Sequence, residues 1–384
     1  MPPLLLDAER ARLVEVDRII AELENRLLVL RSEKQSLQSS LEAYKYPILT
    51  LPNEIMNEIF IQTLPDPPMP PRLLGIDSPR ILLEICSHRR RVALSTPMLW
   101  CRLGVTIPES RCKCWARRPS ALISLLHESA SRSGCLPLSL EWRAGPTIAL
   151  DDLVSRYHSR WRVLNLDIAQ DDIERFSESG HPMLTELYLM NWDKAPDSPL
   201  RLGHTPILRS AAFWSIPFDA STLSWMSLTR LNVRDASLIH IVPALEAACG
   251  LVHCRLSVRT GLPIDHPPIT LPRLETLILE AEQSDDGPDE WPLNSFDPFI
   301  LPTLRRIRVE VDAFLLPDPI QRLQMFVKRS ECQLEILALE LTEVDVSSVK
   351  NLARKVTRID SDSPGVSLDL ANFDWTLDSW WDAQ

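Results

Sequence analysis

Near the N-terminal end, hydrophobic residues recur at every seventh position. Leu6, Leu13, Ile20, Leu27 and Leu41 fall in one register, and Val16, Leu23, Leu30, Leu37 and Tyr44 in a second. Glu9 and Lys34 are the exceptions, so ten of twelve seam positions are apolar. A seven-residue repeat keeps one stripe of an α-helix turned toward a partner helix, while Arg12, Asp17, Glu24, Arg26, Arg31 and Glu33 solvate the remainder. The pattern predicts one long helix over residues 6–45 that self-associates as a coiled coil. An amphipathic helix packed on its own chain is the alternative.

Pro47 stops this helix, because proline lacks an amide donor and restricts the residue before it. Asn53 is placed to cap a second helix over Glu54 to Gln62, with Ile55, Ile59 and Phe60 on one face. The run Pro65 to Pro71 is too proline-rich for helix or central strand and reads as a loop. Ser78 to Thr96 opens with a Ser-Pro start signal and predicts two helices broken near Ser87. Pro97-Met98-Leu99-Trp100 then supplies a bulky anchor over that helical core.

From residue 161 the spacing L-x-x-L-x-L takes over. It recurs at Trp161/Leu164/Leu166, Leu184/Leu187/Leu189, Leu208/Ala211/Phe213, Leu228/Leu231/Val233, Leu251/Cys254/Leu256, Leu274/Leu277/Leu279, Leu304/Ile307/Val309 and Leu334/Leu337/Leu339. Successive starts are 20 to 30 residues apart, near the leucine-rich-repeat period of about 20 to 29. Leu138/Leu140 and Leu368/Leu370 extend the series at either end. Each copy makes a short strand whose two alternating apolar residues stay uncovered unless neighbouring copies stack in parallel. Helical stretches are predicted at Leu238 to Cys249, Ile320 to Lys328 and Val346 to Val356. The fold class expected is therefore α+β passing into an α/β solenoid: a long helix, a small helical module, then an irregular leucine-rich-repeat-like strand-helix array. A conventional α/β domain is the runner-up.

Alternation also names the side chains that would line the concave face of such an array. Tyr188, Trp214, Arg234, Arg255, Arg306 and Arg308 stand out there, because arginine and the large aromatics are the residues most enriched as interface anchors. The four arginines could grip an acidic or phosphorylated segment, unless Glu280, Glu310 and Glu340 on neighbouring positions pair with them.

Composition narrows the function classes. The net charge of -11 lacks the basic footprint that phosphate-backbone binding needs, so nucleic acid is not an expected partner. No run of about 18 apolar residues occurs, so no membrane partner is expected and the reading is an intracellular protein, cytoplasmic or nuclear. The eight cysteines lack paired CxxC spacing, which suits free thiols. Cys112, Cys114 and His127 form too sparse a set for zinc. Glycine-rich phosphate loops and Gly-x-Ser-x-Gly are missing and the eight histidines stand singly. Neither catalytic residues nor a cofactor or metal is expected, and the chain reads as no enzyme.

The ordered set Leu51-Pro52-x-Glu54-Ile55, Ile59-Phe60, Ile85-Cys86, Val92-Ala93 and Pro97-x-Leu99-Trp100 resembles the F-box. With the proline-rich insert and the preceding heptads, it is similar to the large F-box-like families of mushroom-forming fungi. The resemblance covers residues 47–103, and it implies binding of a Skp-type adaptor and, through it, a cullin ubiquitin ligase. Carried over for that contact are Leu51, Pro52, Ile55, Ile59, Phe60 and Trp100. The chain departs from the family at Arg89, where the family has tryptophan; a fully buried ring of that kind contributes about 3 to 5 kcal/mol. The expected organisation is a coiled-coil helix over 1–46, an F-box-like domain over 47–103, linker helices over 104–134 and the repeat array over 135–384. The expected function is substrate recognition for an SCF-type ligase, presenting a target protein of unknown identity. A non-ligase coiled-coil and repeat scaffold is the alternative.

Overall fold

Heptads free of glycine and proline favour unbroken helix, and the computed structural model forms α1 as a single helix over Pro3–Ala43. The structure describes residues 3–43, 51–66, 70–106, 119–143, 148–168, 180–191, 200, 202–218, 221–260, 262, 266–281, 296–310, 318–340 and 351–359. Tyr44, Cys112, Cys114, the Leu368/Leu370 copy and most of the acidic stretch after Ala281 lie outside them. The chain divides into two units, Met1–Ile59 and Phe60–Gln384.

In the first unit, α1 carries exposed apolar side chains along its length, among them Leu13, Val16, Ile20, Leu23, Leu27, Leu30 and Leu37. Helix α2 spans Asn53–Gln62, with its residues up to Ile59 in this unit and the rest in the second, and begins with the Met56 amide bonded to the Pro52 carbonyl at 3.1 Å.

The second unit opens with short helices. Ser78 accepts from the Arg80 amide and donates to the Leu73 carbonyl, starting the 3-10 turn Pro79–Ile81 that runs into α3, Leu82–Ile85. Cys86 is extended, with φ -160, and its Sγ accepts from the Arg89 amide at the start of α4, Ser87–Leu94. The break near Ser87 is therefore a capped one. Trp100 ends the 3-10 turn Pro97–Trp100, donates to the Ala93 carbonyl at 3.0 Å, and lies under the Arg132 guanidinium at 4.7 Å from its ring centre. The remaining helices are α5 (Pro119–Arg132), α6 (Ile148–Arg156), α7 (Leu238–Ala247) and α8 (Pro319–Ser330).

Thirteen strands are described: β1 (Arg102–Thr106), β2 (Leu138–Arg143), β3 (Trp161–Ile168), β4 (Glu186–Asn191), β5 (Ser210–Trp214), β6 (Arg230–Ser237), β7 (His253–Thr260), β8 (Ile269–Thr270), β9 (Thr276–Ala281), β10 (Phe299–Ile300), β11 (Arg306–Glu310), β12 (Leu334–Glu340) and β13 (Ala353–Ile359). Eleven form one sheet in chain order, β1 to β7 followed by β9, β11, β12 and β13, with β8 and β10 pairing separately. Every described pairing is parallel. An in-order parallel sheet with helices among its connections is the solenoid-like α/β arrangement that stacking of repeats demands.

All eight L-x-x-L-x-L copies supply a strand at their last two apolar positions. Two expectations are corrected. Of the helix expected over Val346 to Val356, residues 346–350 lie outside the described residues, and Ala353 to Val356 belong instead to strand β13, paired with β12. Secondly, Arg102 to Thr106, read as the end of a helical module and a linker, is strand β1 and adds an edge to the sheet beside β2. That edge is covered in turn, since the Leu73 amide donates to the Gly104 carbonyl at 2.9 Å. The approach requires glycine: a Cβ at Gly104 would meet Pro70 Cγ and the Pro71 carbonyl at 2.9 Å.

One face of the sheet is apolar. Leu164, Leu187, Phe213, Leu231, Leu256, Leu277, Ile307 and Leu337 join one continuous core with Leu126 of α5, Leu153 of α6, Leu245 of α7 and Phe326 of α8. The Phe296 and Phe326 rings are 4.4 Å apart within it. Arg160 ties the connection before β2, with its guanidinium donating to the carbonyls of Ala130 and Leu136. No described helix is long and apolar enough to cross a membrane.

Candidate functional site

The other face of the sheet carries polar side chains in register. Parallel pairing aligns Asn165, Tyr188, Ala212, Asn232, Arg255, Ile278, Arg308 and Ala338 on adjacent strands, one per repeat. Two residues earlier on each strand a second row runs through Glu186, Ser210, Arg230, His253, Thr276 and Arg306. Two residues later a third holds Met190, Trp214, Arg234, Ser257 and Glu280. Tyr188 and Ala212, with Val163 and Trp214 against them, form an apolar patch separate from the main core.

Toward the C-terminal strands the face becomes ionic. Arg255 on β7 donates from Nε at 3.0 Å and from Nη2 at 2.8 Å to one carboxylate oxygen of Glu280 on β9. The pair is largely out of water, with side-chain exposures of 7% and 15%. Burial alone would raise the Glu280 carboxyl, but Arg255, Arg308 and Arg234 around it hold it below the usual carboxylate range. Glu310 on β11 accepts from the Ala281 amide at 2.8 Å.

Toward the N-terminal strands aromatic groups enter. The Arg234 guanidinium lies 4.7 Å from the centre of the Trp214 ring, one strand away. The Tyr188 hydroxyl donates to Glu186 at 3.0 Å, whose other oxygen is 3.8 Å from Arg230. Burial, with the Glu186 charge beside it, pushes the Tyr188 hydroxyl up, so it stays a neutral donor. At the end of the third row Ser215 and Asp235 both adopt left-handed backbone, with φ 52 and 62. Asp235 accepts there from Ser215 and from Arg259.

The six residues expected to bind a target therefore do line one face, but they are not six free anchors. Arg255 and Arg308 are at most 9% exposed and Tyr188 is 7% exposed. Arg234, Arg306 and Trp214 are half-buried. Of the four arginines, Arg255 is paired with Glu280, the arrangement weighed as the alternative to a grip on a target, and the face is a mixed ionic surface. The sequence did not single out Glu186, Arg230, His253, Asp235 or Arg259. The signal for the first three lay in the same alternation, at the position just before the middle apolar residue of each copy. Asp235 breaks that alternation at a bulge, so periodicity could not have placed it.

The adaptor residues divide by burial. Ile55 and Ile59 sit one turn apart on α2 and are 50% and 39% exposed; Pro52 is exposed and Leu51 half-buried. Phe60 and Trp100 are interior, at 4% and 1% exposure, so they support packing and offer no surface to a partner. Arg89 on α4 is half-buried. Among the described residues no cluster of three or more His, Cys, Asp or Glu could hold a metal ion.

Comparisons with protein-family models and with curated proteins returned no match.

Proposed function

We propose that the chain is the substrate-recognition adaptor of an SCF-type ubiquitin ligase. Its F-box-like segment would hold a Skp-type adaptor and, through it, a cullin, and its leucine-rich-repeat-like array would hold a target protein on the polar face of the sheet. The reading rests on one observation above all: Ile55 and Ile59 stand exposed on α2 directly after Leu51-Pro52. Two β-branched side chains exposed one turn apart offer an apolar surface that a partner would bury favourably. The ordered F-box-like residues, from Leu51-Pro52 through Cys86 to Pro97-x-Leu99-Trp100, agree with it. The chain makes and breaks no bond in this role; it positions a target for chemistry done by other subunits.

Calorimetry of the full chain with a purified Skp-type adaptor tests the reading. Micromolar or tighter binding is expected, lost in Leu51→Ala with Pro52→Ala, and weakened about tenfold or more in Ile55→Asp. Absence of binding by the folded wild-type protein overturns it. The scaffold reading then applies, and one observation favours it in advance: half-buried Arg89 occupies the position where the resembled family carries tryptophan.

A further inference from the structure

The heptad helix poses a separate question, independent of any adaptor. Seven seam residues of α1, from Leu13 to Leu37, are each at least 39% exposed. Only two described seam positions are charged, Glu9 near one end and Lys34 near the other. Neither forms an ion pair among the described residues, whereas Arg10 pairs with Asp7 and Arg18 with Glu15 and Glu22 along the helix. A seam that is apolar except for one acid and one base, placed toward opposite ends, carries information about how it is covered.

Consider two copies side by side. If the helices run parallel, each seam residue faces its own equivalent, so Glu9 meets Glu9 and Lys34 meets Lys34 within the apolar seam. Burying a charge against its like adds repulsion to the desolvation penalty. If they run antiparallel, residues of the Leu13 register face residues of the Val16 register. One alignment then sets Glu9 against Lys34 of the second copy, at both ends by symmetry. In that same alignment Leu13 faces Leu30, Val16 faces Leu27 and Ile20 faces Leu23, so the described seam closes over nearly the whole helix. Sliding by one heptad sets Glu9 against Leu41 and Lys34 against Val16, leaving four lone charges in apolar layers. The flanks do not overturn this choice. Arg12 meets Glu33 favourably, Asp17 meets Glu24 and Arg10 meets Arg31 unfavourably, and Arg10 is already drawn to Asp7 at 3.5 Å. Exposed flank pairs contribute little beside buried layers.

We propose that α1 is a homodimerisation element, pairing antiparallel with α1 of a second copy in the alignment that joins Glu9 to Lys34. The acid and base act as registry devices: they sacrifice some apolar burial and exclude the parallel arrangement.

A charge-exchange cycle on the full-length chain, read by sedimentation, tests this. Wild type should be dimeric. Lys34→Glu alone and Glu9→Lys alone should each raise the dimer dissociation constant about tenfold or more, and the double exchange should restore it to about the wild-type value. In a parallel dimer each charged layer keeps two like charges in all three variants, so none changes. Zero-length carbodiimide crosslinking of wild type supplies a readout free of substitution: a Glu9–Lys34 linked peptide is expected. Within one helix the two residues are about 37 Å apart, so that link can arise only between copies. A monomer at all concentrations, a dimer indifferent to the single exchanges, or a dimer lacking the Glu9–Lys34 link overturns the proposal.

Discussion

Helix α1 and the parallel sheet are both built on apolar repeats, yet they end in opposite states. The sheet repeats once per 20 to 30 residues, and every copy finds its cover inside the chain: the strand leucines meet α5 to α8 in one core. In α1 the repeat is seven residues, and its leucines remain in water. The difference is geometric. A strand stacked beside its neighbour shares their hydrogen bonds and presents a common apolar face that a connecting helix can cover. A long helix satisfies its own backbone and gains no second layer unless another helix comes alongside. Burial therefore stabilises the sheet within one molecule, while the apolar stripe of α1 stays exposed.

The sharpest way to break this contrast is to remove a large core residue. Trp161 is fully buried and its indole donates to the Val154 carbonyl at 2.9 Å. Trp161→Ala should lose about 3 to 5 kcal/mol, read by denaturant unfolding. A loss below about 1 kcal/mol would mean that the sheet does not depend on its apolar face.

The polar face should respond almost as strongly where it is buried. Arg255→Ala leaves the Glu280 carboxylate out of water without its main partner and should cost about 3 kcal/mol. Replacing both partners by apolar residues, Arg255→Met with Glu280→Leu, should recover most of that loss. Failure to recover would show that the pair does more than satisfy itself, for instance by ordering the neighbouring Arg308.

Acid gives a smaller and graded effect. Burial pulls the His181 imidazole down to about 4 from its ordinary 6.5. Protonation then favours the unfolded chain, so stability is whole above about pH 6.5 and declines as pH falls toward 4. At pH 5 the loss should be about 2 kcal/mol, at about 1.4 kcal/mol per pH unit. Glu280 acts in a lower window: its depressed carboxyl contributes stability above about pH 4.5 that disappears as pH falls further. Unfolding measured from pH 7 to 5 on wild type and His181→Gln should show a slope in the first and a flatter line in the second.

The smallest effect belongs to the helix. Leu23→Ala in α1 should change the unfolding free energy of the sheet by less than about 0.5 kcal/mol, because that side chain is 59% exposed. Its consequence should appear in sedimentation instead, as weaker self-association. A large loss of sheet stability would erase the distinction between the two repeats.

Much of this was legible in advance. The eight L-x-x-L-x-L copies marked eight strands of the main sheet, because alternation states directly which side chains face the core. The strands that escaped notice are β1, β8, β10 and β13. Two are only two residues long, and the other two lie at sheet edges. In β13, Arg354, Lys355 and Arg358 interrupt the apolar positions, a charge pattern that edges tolerate and that hides the strand from a periodicity test. Phe60 and Trp100 were legible as important but not as interior, since an apolar residue on a helix face reads the same whether a core or a partner covers it.

Local pattern settled the long helix, the stacking direction and the identity of the two sheet faces, because each depends only on which neighbours along the chain are apolar. It did not settle which charges would meet across those faces. Arg255 reaches Glu280 and Arg234 reaches Trp214 only because parallel registry sets residues 25 and 20 positions apart on neighbouring strands. That registry depends on how each connecting segment packs, a property no short window contains. The tertiary structure thus decided that a row of arginines became a partly neutralised surface, while the fold beneath it was already written in the leucines.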